Sequence, residues 1–276
     1  MEIWDQTLEQ GHLGKRKVTR LAIVAHQDDV EILAYSGIEA CYRDEKEGFA
    51  AIVVTSGVDS PRKGKYKDVT GEQMGEIRRE EQIRAAELGD YQELVMMGYE
   101  SSTVRNNEDH TLVRELRELV LRHRPRIIYT HNPADKHDTH VAVTMRVLEA
   151  LGSIREEYRP EKVYGCEVWR GLDWALEEDK VLLDTSGKPE LAVELIRVFE
   201  SQVDGGKRYD LAEIGRRHAN ATFSSAYDVD AVESGNFAID MTGWIGEDGS
   251  YAVRAMDEIV ERLKVDVVRR LKKYSR

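Results

Sequence analysis

The sequence predicts an α/β fold: a mostly parallel sheet with helices on both faces, and a C-terminal third that extends or covers the sheet. Three observations predict it. In the first half, short β-branched apolar runs alternate with segments of helical period. Glycine-containing turn signals fall between them. No Pro-, Gly- or Ser-rich linker divides the chain, so 1–276 reads as one domain, with 1–17 an N-terminal extension, 18–152 the α/β core and 153–276 the C-terminal part of the same unit.

Residues 18–24 form an apolar run of strand length. Over 31–47 the stripe Ile32, Leu33, Ile38 and Cys41 predicts a helix closed by Gly48. A second strand at 50–54 leads into a basic, glycine-containing surface loop, 56–70. A helix over 73–88 ends at Gly89, a third strand spans 93–97, and the helix over 110–123 stops before Pro125. RIIYT (126–130) is a fourth strand and 139–151 a further helix. The second half is less regular: strands at 162–169, 180–183 and 236–240, and helices at 190–199 and 209–218. Residues 252–272 predict a long amphipathic helix with Ile259, Leu263 and Val267 on one face.

Composition narrows the function. With 276 residues and 41% hydrophobic content the chain can bury a sizeable core. A net charge of −12 repels phosphate backbones, so nucleic acid is not an expected partner; Arg62, Lys63, Lys65 and Lys67 read as a solvated loop. No apolar run approaches the ~20 residues of a membrane span. MEIWDQTLEQ at the start is too polar for a secretion signal. The expectation is a cytoplasmic protein with no membrane contact. Cys41 and Cys166 are too few for a disulfide framework or a cysteine zinc site. No phosphate-cradling glycine motif follows the first strand, and no Gly-x-Ser-x-Gly elbow occurs.

Open parallel sheets bind ligands beyond the carboxyl ends of their strands, and two such ends are loaded with ligating groups. AHQDD (25–29) follows the first strand and THNPADKHDTH (130–140) the fourth. Together they hold His26, His131, His137 and His140, four of the eight histidines, with Asp28, Asp29, Asp135 and Asp138. His26 and Asp29 are three apart across a turn, so both can face one side while Asp28 faces another. A catalytic zinc wants three His or carboxylate ligands and an open position; His26, Asp29 and one distant histidine would supply them. Each residue also has a plainer role open to it. Asp28 or Asp29 can cap the following helix, His131 can be a hydrogen-bonded core residue, and His12, His110, His123 and His218 default to surface or structural roles. Ser101 and Ser102 in GYESSTV are either sugar contacts or an ordinary polar turn. SQVDGGKRYD (201–210) is either a lid or a glycine hinge between helices. The tryptophans of VWRGLDW are either stacking platforms or core.

Three of these motifs carry a family resemblance. AHQDDVE resembles the AHPDD(E) signature of the PIG-L/LmbE-like zinc-dependent N-acetylglucosaminyl deacetylases. RREEQIRAAELG (78–89) resembles that family's Arg-x-x-Glu helix, and THNPADKHDTH its second metal motif. The resemblance implies a Rossmann-like fold and hydrolysis of an N-acetyl group from an amino sugar within a small-molecule conjugate. It implies zinc on His26, Asp29 and His140, with iron(II) suited to the same donors. It implies Asp28 as general base, His137 as oxyanion stabiliser and donor to the leaving amine, and Arg78 as a contact to sugar hydroxyls. An amidase acting on a larger acyl group, or a metal- or sugar-binding module, are the alternatives, and a homo-oligomer is compatible with the resemblance. The chain departs from the pattern twice. Gln27 replaces the usual proline, and HDTH replaces HPDH, so Thr139 stands at an aspartate position and Asp138 at the proline. Without that charge His137 is expected to have a lower pKa, unless Asp138 or Asp135 substitutes; His131, Asp138 and Thr139 are thus read as a supporting shell.

Overall fold

A computed structural model describes residues 1–6, 16–246 and 250–276. His12 lies outside the described residues. The elements are β1 (Glu2–Asp5), β2 (Lys17–Val24), α1 (Asp29–Leu33), α2 (Tyr35–Cys41), β3 (Glu47–Thr55), α3 (Gly71–Leu88), β4 (Glu93–Tyr99), α4 (Ser101–Arg105) and α5 (Thr111–His123). They continue as β5 (Ile127–His131), α6 (Asp138–Ser153), β6 (Lys162–Cys166), β7 (Val181–Asp184), α7 (Pro189–Arg197), α8 (Glu200–Val203), α9 (Tyr209–Thr222), β8 (Gly235–Asp240) and α10 (Ser250–Tyr274).

One eight-stranded sheet runs β1-β4-β3-β2-β5-β6-β8-β7. The central strands β4, β3, β2, β5 and β6 are parallel. β1 pairs antiparallel with β4, and β8 antiparallel with both β6 and β7. This is the predicted α/β architecture, with the C-terminal strands extending the sheet at one edge. The period of two explains the two cores. Leu21, Ile23, Ala50 and Ile52 pack with Leu116, Val120 and Val147 on one face. Ala22, Val24, Ala51 and Val53 pack with Ile38, Leu195 and Phe199 on the other. No helix of the described residues is long and apolar enough to cross a membrane.

Three expectations change. The helix over 31–47 breaks at Ala34 and ends at Cys41. Arg43 takes φ 56°, and the Asp44 carboxylate accepts from the amides of Lys46 and Glu47 at 2.8 and 2.7 Å, turning the chain. Gly48 therefore lies inside β3 and caps no helix; a Cβ there would meet the Lys17 carbonyl at 3.3 Å and the Gln92 Cβ at 3.2 Å, so close packing selects the glycine. The strand over 162–169 stops at Cys166, releasing Trp169. The N-terminal extension contributes a strand, β1, too short to show a period.

Candidate metal centre

β2 and β5 are neighbours in the sheet. From β2 the chain moves to β3 and β4 on one side; from β5 it moves to β6 on the other. The crevice beyond their carboxyl ends is the topological switch point of the sheet, and both ligand-bearing loops enter it. His26 Nδ1, Asp29 Oδ2 and His140 Nε2 meet there. His26 Nδ1 is 3.2 Å from Asp29 Oδ2 and 3.1 Å from His140 Nε2; the third side of the triangle is 3.4 Å. A four-coordinate zinc with bonds of about 2.0–2.1 Å holds its ligand atoms roughly 3.3 Å apart. The three donor atoms are therefore spaced to fit one divalent cation.

Local interactions set each donor. The His26 amide donates to Asp29 Oδ2 at 2.7 Å, fixing the first loop across α1's start. Asp135 Oδ2 lies 3.3 Å from His140 Nδ1, which leaves Nε2 for a metal. Asp135 also accepts from the amides of Lys136, His137 and Trp169. Burial pulls the His140 imidazole down, but Asp29 and Asp135 outweigh it and hold it above its ordinary value. Burial raises Asp29, yet the His140, His131 and His26 rings outweigh that and hold its carboxyl well below the usual range. The field at the triangle thus favours positive charge.

His131 is fully buried and stacks on His140, centroids 3.8 Å apart. Asp29, His131 and His140 also lie close enough to group around an ion, but the Ala25 amide donates to His131 Nε2 at 2.8 Å and engages its lone pair. His131 ties the ends of β2 and β5 together beneath the site. His137 is half-buried, stacked on His140 at 4.6 Å and edge-on to His26 at 4.8 Å. Burial, then the His140 and His26 rings, push its pKa down to about 4. Asp135 is turned to His140, Asp138 is exposed at the start of α6, and Thr139 is fully buried with Oγ1 unpartnered. Asp29 and Asp135 oppose the downward shift of His137 without cancelling it.

Asp28 adopts a left-handed backbone, φ 82°, which aspartate tolerates better than most residues. Its carboxylate pairs with Arg78, Oδ2 to Nη2 at 2.9 Å, beside the donor triangle on the same cavity. Burial pushes Asp28 up to about 6; Arg78 opposes and Asp29 adds to the shift. Arg78 also donates to the Gln27 carbonyl and pairs with Glu81 at 3.5 Å. Arg79, its neighbour, points elsewhere and pairs with Glu2. Gln27 replaces proline's rigidity with a side-chain bond, donating to the Thr55 carbonyl at the end of β3.

These residues open onto a cavity of about 390 Å³ lined by His26, Asp28, Asp29, Arg78, Ser101, His137 and Thr139. Ser102 is exposed and donates to Glu100 instead. The second half of the chain builds the facing wall: Trp169, Gln202, Lys207, Tyr209, Glu213 and Arg216. Lys207 sits over the Trp169 ring at 4.6 Å, and Tyr209 meets that ring edge-on. SQVDGGKRYD is thus cavity wall, and of the two tryptophans one lines the cavity while Trp174 packs against the core. Ser201 fastens the wall: its amide and hydroxyl both donate to Glu81 at 2.6 Å. Glu213 and Arg216 carry no sequence signal; they reach the cavity only because α9 packs against β8 and α7.

Residues 21–151 match the family model described as PIG-L, GlcNAc-PI de-N-acetylase. Among solved structures, the N,N'-diacetylchitobiose deacetylase of Pyrococcus horikoshii aligns with a TM-score of 0.62 at 15% identity, over 87% of this chain and 90% of that one. GalB, the 4-carboxy-2-hydroxymuconate hydratase of Pseudomonas putida, aligns with 0.60 at 19% identity, over 82% and 95%. The zinc-inhibited teicoplanin deacetylase Orf2 aligns with 0.56 at 14% identity, over 80% and 97%. No curated protein matches the chain. These likenesses establish the fold, and residues 21–151 are similar to the PIG-L family model.

Proposed function

We propose that this chain is a metal-dependent hydrolase that removes the acetyl group from an N-acetylglucosamine-type amino sugar in a small-molecule conjugate. The observation that carries the reading is the triangle of His26 Nδ1, Asp29 Oδ2 and His140 Nε2, with the Arg78-paired Asp28 lining the same cavity. The family description and the deacetylase neighbours support it. A hydratase shares the fold, so the reaction is argued from the site.

In this reading His26, Asp29 and His140 hold zinc, with iron(II) suited to the same donors. The ion, when bound, supplies Lewis acidity toward the amide carbonyl and lowers the pKa of water. Asp28 takes the proton of the attacking water, and Arg78 keeps its carboxylate oriented for that transfer. His137, in its protonated form, would donate to the carbonyl oxygen as charge develops there and give its proton to the departing amine, ending as the neutral ring. Arg78 and Ser101 contact sugar hydroxyls, and the Trp169–Lys207–Tyr209 wall receives the rest of the conjugate. Two buried free thiols, Cys41 and Cys166, fit a reducing, cytoplasmic setting.

The test is elemental analysis of the purified protein together with acetate release from a panel of N-acetylglucosamine conjugates. One metal per chain and acetate from at least one conjugate are expected. Metal with no acetate from any panel member overturns the deacetylase reading. Release of a longer acid from N-acyl analogues then identifies an amidase, and saturable sugar binding with no release identifies a binding module.

A further inference from the structure

Arg78 lies between two carboxylates. Its Nη2 faces Asp28 Oδ2 at 2.9 Å and its Nη1 faces Glu81 Oε2 at 3.5 Å. Arg78 and Glu81 are three apart on α3, so one helix face presents both. All three residues are buried. Glu81 also reaches the other way. Its Oε1 accepts from the Ser201 amide and its Oε2 from the Ser201 hydroxyl, both at 2.6 Å. Ser201 belongs to α8; its neighbour Gln202 lines the cavity, and so do Lys207 and Tyr209 a few residues on. The Phe199 ring, just before α8, has its centre 5.4 Å from the Arg78 guanidinium. One carboxylate therefore binds both the arginine that pairs with Asp28 and the segment that begins the facing wall.

Fastening the wall does not by itself call for this arrangement. A neutral acceptor such as glutamine can take a bond from Ser201, whereas a second buried carboxylate is costly unless a cation repays it. That cation is Arg78, and its donors are unevenly used. Nη2 serves both Asp28 and the Gln27 carbonyl. Nη1 and Nε have no hydrogen-bond partner among the described residues. With no charge on its other side the guanidinium would be drawn wholly onto Asp28. Glu81 supplies the opposing pull, and the short bonds from Ser201 to both of its oxygens keep Glu81 from following Arg78. A carboxylate that takes a proton from water has to be held within about 0.5 Å of its productive place. Asp28 can be held no better than the arginine it pairs with.

We propose that Glu81 is a positioning residue: through Arg78 it sets where the Asp28 carboxylate sits, and through Ser201 it keys that position to the facing wall. Its effect on rate rests on the reaction proposed above; its effect on geometry does not.

Glu81→Gln keeps the size and an acceptor for Ser201 but removes the charge. Crystal structures of this variant and of the wild type, both grown with zinc present, read the geometry. The Arg78 guanidinium should move toward Asp28 and turn its carboxylate, a displacement of more than about 0.5 Å. Superimposable Arg78 and Asp28 side chains overturn the proposal, whatever reaction the chain performs. Steady-state acetate release reads the consequence in a double-mutant cycle with Asp28→Asn. On the wild-type background Glu81→Gln should lower kcat about tenfold, with KM changed less than about twofold. On the Asp28→Asn background it should lower kcat by less than about twofold, because no base remains to be placed. An equal fall on both backgrounds marks general damage to the fold and overturns the proposal. If Glu81→Gln does not fold, Ser201→Ala, which takes one donor from Glu81 and leaves every charge in place, carries the same two measurements, with a fall in kcat of about threefold that again disappears on Asp28→Asn. A wild-type chain that releases no acetate counts against the proposed reaction alone, and the paired structures then decide Glu81.

Discussion

Residues up to about 151 and those beyond build opposite walls of one cavity by different means. In the first region the chemistry is local. His26, Asp28 and Asp29 sit on consecutive turns after β2, His137 and His140 at the entrance of α6, and the β2–β5 pairing brings the two loops together. In the second region the wall is drawn from a released strand end (Trp169), a loop (Lys207) and a helix (Tyr209, Glu213, Arg216). Reactive groups need fixed mutual geometry, which adjacent parallel strands supply. A wall that meets a variable substrate can be assembled from irregular segments. Two buried carboxylates join the regions: Asp135 accepts from the Trp169 amide while facing His140, and Glu81 binds Ser201 while pairing with Arg78.

The largest test of this division is Asp28→Asn, chosen because asparagine also tolerates the left-handed turn. Turnover should fall about 10²–10⁴-fold with metal content unchanged; loss of the metal instead would mean that Asp28 is a ligand. Next is Trp169→Ala, in the opposite wall. KM should rise about five- to tenfold with kcat nearly constant, and a fall in kcat with KM unchanged would merge the two walls' roles. Thr139→Asp sharpens the comparison within the reactive wall. A carboxylate there favours the protonated His137 ring, now at about 4, so the basic limb of the pH–rate profile should move up by about one pH unit; an unmoved limb removes His137 from proton transfer.

The smallest effect concerns stability. Glu31 is buried beside Tyr91 and Gln82, which donate to it at 2.6 and 2.8 Å, and burial pushes its carboxyl from 4.5 up to about 8. Its contribution is fully present below pH 4.5 and is lost as pH rises through about 8, because the unfolded chain releases the proton first. Glu31→Gln, which cannot ionise, should therefore raise Tm by about 2–4 °C at pH 8.5 and by less at pH 5. Thermal unfolding at the two pH values decides it; equal shifts would mean that Glu31 is already ionised in the fold.

Much of this was legible in the letters, unevenly so. The strand–helix alternation identifies the sheet because short β-branched apolar runs between segments of helical period leave few other options. His26 and Asp29 stand out because an imidazole and a carboxylate three apart follow a buried strand; His140 was singled out among the distant histidines only by the family resemblance. Arg78 could be told from Arg79 only by a packing fact, Arg79's pairing with Glu2 on the short edge strand. Gly48 misled because a glycine after a helical stripe signals a cap, whereas here the close approach of the Gln92 side chain and the Lys17 carbonyl selects it. Trp169 and Lys207 were visible as odd residues, but their convergence depends on contacts far apart in sequence. Glu213 and Arg216 look like any helix surface until α9 is placed.

The backbone at Asp28 also bears on descent. A left-handed turn beside a buried arginine leaves few sterically comfortable letters, with glycine, asparagine and aspartate foremost. Only one of these accepts a proton. A lineage that abandoned the proposed hydrolysis but kept its architecture could drift to the other two only by unpairing the buried Arg78, so one codon would tell a working member from a retired one.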